Sequence, residues 1–472
     1  MHNIRSIFTK KNTNHRESII RNRCPLQYPA AITACLIRLG FGTIIYWPSP
    51  SIPHLTSSNS KFTITTDEAS WVVSLSSIGN IIGFLLYPVF VNRIGRKYTM
   101  LLFAIPQVFS WLIIYYASNV HHLYIARILA GMGYSAAYVV DIIYVGEIAK
   151  KNIRGFLIIL GKISFCLGSL IVVALGAFVS YDNMNLILFL ISLIFIVTFS
   201  FMPESPYFYI KINRDEDALK SLAKLRGARD TNSLKQEIET MKEGVGENVS
   251  KTYFLKKLFG NRSNLKAFLI STLSFLAFSF SGSTAIASHT QIVVGHFESP
   301  LKPEQASVLI MIVALVSSIV ISPIPDWLGR RILTLWYGII VGLSSFIIAG
   351  LFFYKFHFNG DLSSIYWISF VLFFIYVVFS GGGLFCLSHI LVAELFSLQI
   401  KSSATCLIHI LWSIIEFCVQ LNFEQLMIVF KIYGLFFIYS IMTLVITFSN
   451  YLIMPETKGK TLEEIQNLLA KT

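Results

Sequence analysis

The sequence predicts an all-α membrane protein with about twelve transmembrane helices in two pseudo-symmetric six-helix halves. Three observations predict this fold: the composition, the succession of long apolar runs, and a loop motif that occurs twice. Of the 472 residues, 54% are hydrophobic and only 13% are charged, and the mean hydropathy is +0.65. Because a water-soluble chain carries about 25% charged residues, a bilayer is the expected solvent.

Apolar runs of about 20 residues, long enough to cross the hydrocarbon layer, occur in two sets of six. The first set covers 26–47, 71–91, 99–117, 123–145, 156–180 and 184–202. The second set covers 266–290, 305–325, 332–354, 364–392, 402–423 and 429–453.

The organisation that follows has a tail at each end and one hydrophilic segment in the middle. We expect an N-terminal tail at 1–25, one half at 26–203, a loop at 204–265, a second half at 266–453 and a C-terminal tail at 454–472. The loop contains short helices. One of them is predicted from Asp215 to Arg226 and ends at Gly227, because glycine readily adopts the left-handed conformation that closes a helix.

Lys and Arg concentrate on one side of this arrangement. They lie in 5–23, 93–97, 150–154, the central loop, 330–331, 401 and the C-terminal tail. The other side carries almost only Lys61, Lys302, Lys355 and Lys431. Short basic loops stay in the cytoplasm, so both termini are predicted to be cytoplasmic. Topology thus accounts for the net charge of +13, and no base-stacking module indicates a nucleic-acid partner.

Residue types that commonly catalyse reactions or bind metals form no recognisable motif in this sequence. The six cysteines show no paired spacing, which argues against a disulfide framework and a zinc site. No nucleophile, base and orienting residue occur together, and no metal motif appears. We therefore expect no enzymatic activity, no cofactor and no metal. The basic first residues contain no apolar core of a cleavable signal peptide.

A short loop motif is repeated in the two halves. Asn92-Arg93-Ile94-Gly95-Arg96-Lys97 follows the second apolar run, and Asp326-Trp327-Leu328-Gly329-Arg330-Arg331 follows the eighth. Glycine permits a tight turn between two helices, and the arginines can bind carboxylates or helix ends. Its recurrence at matching places indicates an internal duplication.

Further motifs also come in matched pairs. Glu147 is followed seven residues later by Arg154, and Glu394 seven residues later by Lys401. The sequences Pro203-Glu204-Ser205-Pro206 and Pro455-Glu456-Thr457-Lys458-Gly459 follow the sixth and twelfth runs. In this order the motifs resemble the sugar porter family of the major facilitator superfamily, especially its insect branch of proteins like the facilitated trehalose transporter. The resemblance covers nearly the whole chain.

The resemblance implies the major facilitator fold and transport by alternating access. The expected function is transmembrane transport of a sugar (hexose or trehalose-like) or a related small organic solute, by facilitated diffusion, in the plasma membrane and as a monomer. The resemblance also implies a cytoplasmic gate formed by Arg93, Gly95, Arg96, Glu147, Arg154, Asp326, Gly329, Arg330, Arg331, Glu394 and Lys401. Asn92 departs from the family, which has an acid at that position.

The predicted solute site departs further from the family. Sugar sites use amides and a tryptophan, because amides donate and accept hydrogen bonds without the cost of burying a charge. The family's amide positions here hold Lys162, Phe278, Ser279, Thr284, Ala314 and Leu411. Cys386, Ser388 and His389 stand where the family has proline, proline and tryptophan, whereas Trp412 remains. Two alternatives therefore stay open: a sugar sensor or interaction protein that does not transport, and a carrier of a non-sugar solute.

Charged residues inside the predicted helices are candidates for function. Asp141 and Lys162 lie at similar depths on the fourth and fifth runs, so they could pair, and Arg38 could join them. Such a group either binds the solute or fixes the packing of the helices. The first run contains no acid, which favours facilitated diffusion over proton coupling through Asp141 or Glu416.

A polar stripe follows one face of the eleventh run. His409, Ser413, Glu416 and Gln420 are spaced by four, three and four residues, and this face is expected to line the cavity. Hydrogen bonding between helices explains the stripe better than a divalent-metal site with His289 and His389. The candidate substrate-binding residues are Asp141, Lys162, Ser283, Thr284, His389, Trp412 and Glu416.

Overall fold

The computed structural model describes residues 25–227, 232–243, 258–297, 299–321, 324–361, 365–396, 400–460 and 462–471. Within these ranges the chain is helical and contains no β-strand. It has twelve helices that are long and apolar enough to cross a membrane, and we call them the first to the twelfth span. The side that carries the two Gly-Arg loops is called the inner side, and the opposite side is called the outer side.

The first half contains six spans. Their helices are Gln27–Tyr46 continued by Pro48–Leu55, Thr66–Arg93, Arg96–Tyr115, Val120–Ile148, Lys151–Phe178 and Tyr181–Ser200. The second span begins before the apolar run predicted at 71–91. Thr65 and Glu68 form a capping box, in which each side chain bonds the other residue's backbone N–H, and this extends the helix outward.

The second half also contains six spans, of which the seventh and tenth are interrupted and the twelfth is kinked at Lys431, whose φ of 57° is left-handed. The helices are Arg262–Phe280, Ser283–Ser288, Thr290–Gly295, Pro303–Ile321, Arg330–Phe358, Tyr366–Val377, the π-helical Val378–Phe385, Cys386–Leu395, Lys401–Leu421 and Phe423–Ile453. The seventh span breaks at Gly282, whose φ of 76° is left-handed. The tenth span widens into a π-helix around Gly382. Breaks of this kind leave backbone groups unpaired and frequently mark functional sites.

In the described part of the segment between the halves, the helices Pro206–Lys211, Asp215–Arg226 and Asn232–Glu243 lie on the inner side. The predicted helix at Asp215–Arg226 is confirmed, and it ends at Gly227 with a left-handed φ of 67°. Arg226 attaches this segment to the first half, because it donates to the Gln27 side chain at 3.1 Å and to the Ile148 carbonyl at 2.8 Å. The helix Leu462–Lys471 lies at the other half, where Gln466 donates to the Leu395 carbonyl.

The two halves meet at the outer side through the first and seventh spans. The Ser288 hydroxyl donates to the Ile45 carbonyl at 3.3 Å, and the Gln291 backbone N–H donates to the Ser49 hydroxyl at 3.3 Å. These bonds close the outer side in this conformation. Solute movement to that side would require them to break.

Candidate functional site

The first inner cluster joins the third, fourth and sixth spans. We define it as Arg96, Glu147, Glu204 and Ser205. Arg96 donates to Glu147 Oε1 from Nη2 at 2.8 Å and from Nε at 3.2 Å, and the Ser205 hydroxyl donates to Glu147 Oε2. Glu204 accepts the backbone N–H groups of Arg96 and Lys97, both at 3.0 Å. A carboxylate therefore caps the start of the third span.

The second inner cluster repeats this arrangement in the ninth, tenth and twelfth spans. It consists of Arg330, Glu394, Glu456 and Thr457. Arg330 donates to Glu394 Oε1 from Nη2 at 2.9 Å and from Nε at 3.2 Å, and the Thr457 hydroxyl donates to Glu394 Oε2 at 2.7 Å. Glu456 accepts the backbone N–H groups of Arg330 and Arg331 at 2.8 and 3.2 Å. The internal duplication thus extends to individual hydrogen bonds.

The loop glycines make room for the capping acids. A Cβ atom at Gly95 would overlap the Glu204 carboxylate, and one at Gly329 would overlap the Glu456 carboxylate. Gly95 also has a left-handed φ of 92°. Sequence reasoning included the glycines in the gate but not the two acids, although both acids lie in the quoted motifs.

Glu204 is buried on the inner side, outside the spans. Burial raises the pKa of Glu204 to about 6, against the backbone N–H groups of Ser205, Lys97 and Arg96, which lower it. Its charge therefore changes at a mildly acidic pH, and the cap is sensitive to protonation.

Other predicted gate residues do not belong to the two inner clusters. Arg93 is exposed at the end of the second span. Arg154 Nε is buried and has no hydrogen-bond partner within the described ranges, since Glu147 bonds Arg96 and Ser205. The side chain of Asp326 lies outside the described part of the chain.

The Lys401 ammonium group donates to the Ala393 carbonyl at 2.6 Å. It thus bonds the backbone at the end of the tenth span, while Glu394 bonds Arg330. Asn92, which replaces an acid, accepts a hydrogen bond from Lys211 at 2.9 Å. The contact connects the first loop motif to the helix Pro206–Lys211.

Asp141 pairs with Arg38 in the first half. The Arg38 Nε donates to Asp141 Oδ2, and both side chains are buried. Lys162, which sequence reasoning considered as the partner of Asp141, donates to the Gly382 carbonyl of the tenth span at 3.3 Å. The expectation of an Asp141–Lys162 pair was wrong because Gly161 faces the Arg38 guanidinium. One residue later the helix has turned by about 100°, so Lys162 points toward the other half.

Arg127 is a buried cation that sequence reasoning missed. Its side chain is 2% exposed and holds three acceptors on the first two spans. It donates to the Ile44 carbonyl at 2.9 Å, the Val72 carbonyl at 3.0 Å and the Ser76 hydroxyl at 3.1 Å. An arginine inside the predicted run 123–145 was the available signal, since intramembrane charges are rarely without a role.

Glu416 lies in a polar pocket of the second half and is 4% exposed. Its Oε1 accepts the Ser279 hydroxyl at 2.6 Å and the Trp412 indole N–H at 3.0 Å. Its Oε2 accepts the Gln420 amide at 3.5 Å. The polar stripe of the eleventh span therefore bonds within itself and to the seventh span, as hydrogen bonding between helices predicts.

An aromatic cluster lies between the seventh, tenth and eleventh spans. We define it as Phe275, Phe278, Phe385, His389, His409 and Trp412. The Phe275 ring centroid is 5.0 Å from that of His389, 5.4 Å from His409 and 5.1 Å from Trp412. The predicted binding residues His389 and Trp412 thus belong to one group of rings around Phe275.

His289 does not contribute to this cluster. Its Nε2 lies 3.2 Å from Glu424 Oε1, and its ring stacks on Phe423. Within the described ranges, no group of three His, Cys, Asp or Glu side chains could hold a metal ion. The alternative of a divalent-metal site with His289 and His389 therefore has no ligand set there.

Ser283 and Thr284 stand just after the break of the seventh span. The Ser283 hydroxyl donates to that of Ser380 in the tenth span at 3.1 Å, so the two interrupted spans are joined at their breaks. Lys162 reaches the same π-helical segment from the first half. Thr284 Oγ1 is buried and faces the Glu416 carboxyl group.

Comparison with known proteins places this architecture among transporters. A family model described as sugar (and other) transporter matches residues 29–469. The facilitated trehalose transporter Tret1 of Apis mellifera ligustica is 26% identical over 95% of this chain and 90% of that protein. The Tret1 protein of Polypedilum vanderplanki is 26% identical over 93% of this chain and 87% of that protein.

Solved structures of a xylose transporter share the fold. The inward-open conformation of XylE from E. coli superimposes with a TM-score of 0.76 at 19% identity, over 94% of this chain and 99% of that one. The XylE proton:xylose symporter bound to 6-bromo-6-deoxy-D-glucose gives a TM-score of 0.73 at 18% identity, with the same two coverages. The predicted twelve-span fold with two pseudo-symmetric halves is confirmed.

Proposed function

The chain belongs to the sugar (and other) transporter family, and from this we propose that it carries a sugar or a related small organic solute across a membrane by alternating access. It is a multi-pass membrane protein. In this proposal it acts as a carrier and not as an enzyme. The family match favours transport over the alternative of a sensor with a degenerate site.

The observation that carries the proposal is the repeated bonding of the two inner clusters. Each cluster ties three spans of its own half together through an arginine and two acids. Halves braced in this way can move as rigid units. The outer bonds of Ser288 and Gln291 join different halves instead, so they are the ones that a rocking motion would break.

Facilitated diffusion is the proposed mode of transport. The helix Gln27–Tyr46 of the first span contains no acid, and Asp141 is neutralised by Arg38. This buried carboxylate is thus engaged in an ion pair between the first and fourth spans. The clustering of Lys and Arg supports cytoplasmic termini, and the family likeness supports a plasma-membrane location and a monomeric carrier.

Counterflow in proteoliposomes tests the proposal. Proteoliposomes that contain the purified protein would be loaded with unlabelled glucose or trehalose. Uptake of the labelled sugar would then be compared with uptake by vesicles without protein. We expect saturable uptake that requires the unlabelled sugar inside. Uptake equal to that of empty vesicles for hexoses, pentoses, trehalose and polyols alike would refute the proposal, and binding without uptake would point to a sensor.

A further inference from the structure

Three carboxyl groups are buried within the described spans, and two of them face a basic side chain. Asp141 pairs with Arg38, and Glu424 bonds the imidazole of His289. Glu416 differs, because its hydrogen bonds in the described structure come from a hydroxyl, an indole and an amide, which are all neutral. A buried carboxylate is costly without a cation, so among these three acids Glu416 is the one that a cationic ligand would stabilise most.

The neighbours of Glu416 direct hydrogen-bond donors at its carboxyl group. The Trp412 indole can only donate a hydrogen bond, and it is directed at Oε1 together with the Ser279 hydroxyl. Oε2 receives the long 3.5 Å contact from Gln420, and the Thr284 hydroxyl also faces this carboxyl group. One carboxylate oxygen is therefore held in place, and the other remains available to a stronger donor.

Further polar groups lie near this carboxyl group. The Thr284 hydroxyl faces it, and Gln420 Oε1 and Tyr439 Oη are buried with no hydrogen-bond partner in the described part of the chain. Tyr439 packs on Gly282 at the break of the seventh span, two residues before Thr284. Buried polar atoms are nearly always bonded, so these amide and hydroxyl groups indicate a ligand with hydroxyls, which donate and accept.

Aromatic rings lie beside Glu416, around Trp412. The Trp412 centroid lies 5.1 Å from that of Phe275, 5.9 Å from Phe385 and 6.4 Å from Phe278. The faces of such rings attract cations, Trp most strongly. A carboxylate beside aromatic rings and hydroxyl groups matches a solute that has both an ammonium group and hydroxyls.

We propose that Glu416 is the counter-ion for a protonated amine on the transported solute, and that this solute is an amino sugar. The assignment rests on the proposed transport of a sugar, and it narrows the class of sugar. The ammonium group binds Glu416 Oε2, and the ring hydroxyls use Thr284, Gln420 and Tyr439. Because Glu416 is 4% exposed in this conformation, the solute reaches it through movement at the breaks that Ser283 and Ser380 join.

Glucosamine and glucose test the assignment, because they differ by one ammonium group in place of a hydroxyl. Counterflow of both sugars would be compared for the wild type, Glu416→Gln and the control Glu424→Gln, which neutralises another buried acid of the same half. We expect the wild type to prefer glucosamine by about tenfold or more in kcat/KM, as one charged hydrogen bond provides. Glu416→Gln should bring the ratio of the two kcat/KM values close to one, whereas Glu424→Gln should keep the ratio of the wild type.

A measurement on the wild type alone covers the case of a variant that fails to fold. Glucosamine should inhibit glucose exchange at concentrations about tenfold below those at which unlabelled glucose does. Equal treatment of the two sugars by the wild type, or a preference that survives in Glu416→Gln, would overturn the assignment and leave sugar transport standing. Exchange of neither sugar by folded protein would overturn both.

Discussion

Arg38 of the first span neutralises Asp141 of the fourth span through a direct hydrogen bond between their side chains. Asp141 is 0% exposed, and its Oδ1 has no hydrogen-bond partner within the described ranges. The carboxylate therefore depends on Arg38 for its compensation. Arg38 in turn lies on Gly161 and over the Tyr138 ring, so three spans meet at this pair.

Removing Arg38 alone should destabilise the protein strongly. Arg38→Leu leaves a buried charge uncompensated, which costs about 3 to 5 kcal/mol. The double variant Arg38→Leu with Asp141→Leu removes both charges and should recover most of this loss. Thermal unfolding of the purified variants in detergent measures both effects. A double variant that unfolds at a lower temperature than the single one would contradict the assigned role.

Sequence patterns anticipated the spans, the two loop motifs and the helix end at Gly227, because these depend on local periodicity and local conformation. They named both Lys162 and Arg38 as candidate neighbours of Asp141, but they did not decide which of the two is its partner. Helical periodicity gives the face of a residue but not the neighbouring helix that this face meets. Glu204 and Glu456 were missed as caps for the same reason, since each bonds a backbone that is distant in sequence.

The two inner clusters should respond alike to the loss of their arginines. Arg96→Gln and Arg330→Gln each remove the cation from a carboxylate, with an expected loss of about 1.5 to 3 kcal/mol in the free energy of unfolding. Counterflow should fall with both. Arg93→Gln is the matched control, because Arg93 is exposed and should behave like the wild type. Equal effects of Arg93→Gln and Arg96→Gln would refute this role of the clusters.

Gly95 should tolerate no side chain. In Gly95→Ala the added Cβ would displace the Glu204 carboxylate, and the left-handed φ of 92° would strain the alanine. We expect a loss of about 1 to 3 kcal/mol in the free energy of unfolding. Gly146→Ala is the control, because a Cβ there meets no atom within 4 Å and alanine favours the helix. That control should be neutral or slightly stabilising, and a similar loss in both variants would argue against the strain.

Protonation of Glu204 should make stability depend on pH. Its pKa is about 6 in the folded protein against 4.5 in the unfolded chain. Between these values the folded state binds more protons, so the stability contributed by this group is present below pH 4.5 and is lost as the pH rises through about 6. The difference corresponds to about 2 kcal/mol. Unfolding temperatures measured across this range should fall with pH in the wild type, relative to Glu204→Gln, which cannot ionise. Parallel profiles of the two proteins would show that Glu204 titrates normally, and the burial of its carboxylate would then carry no cost.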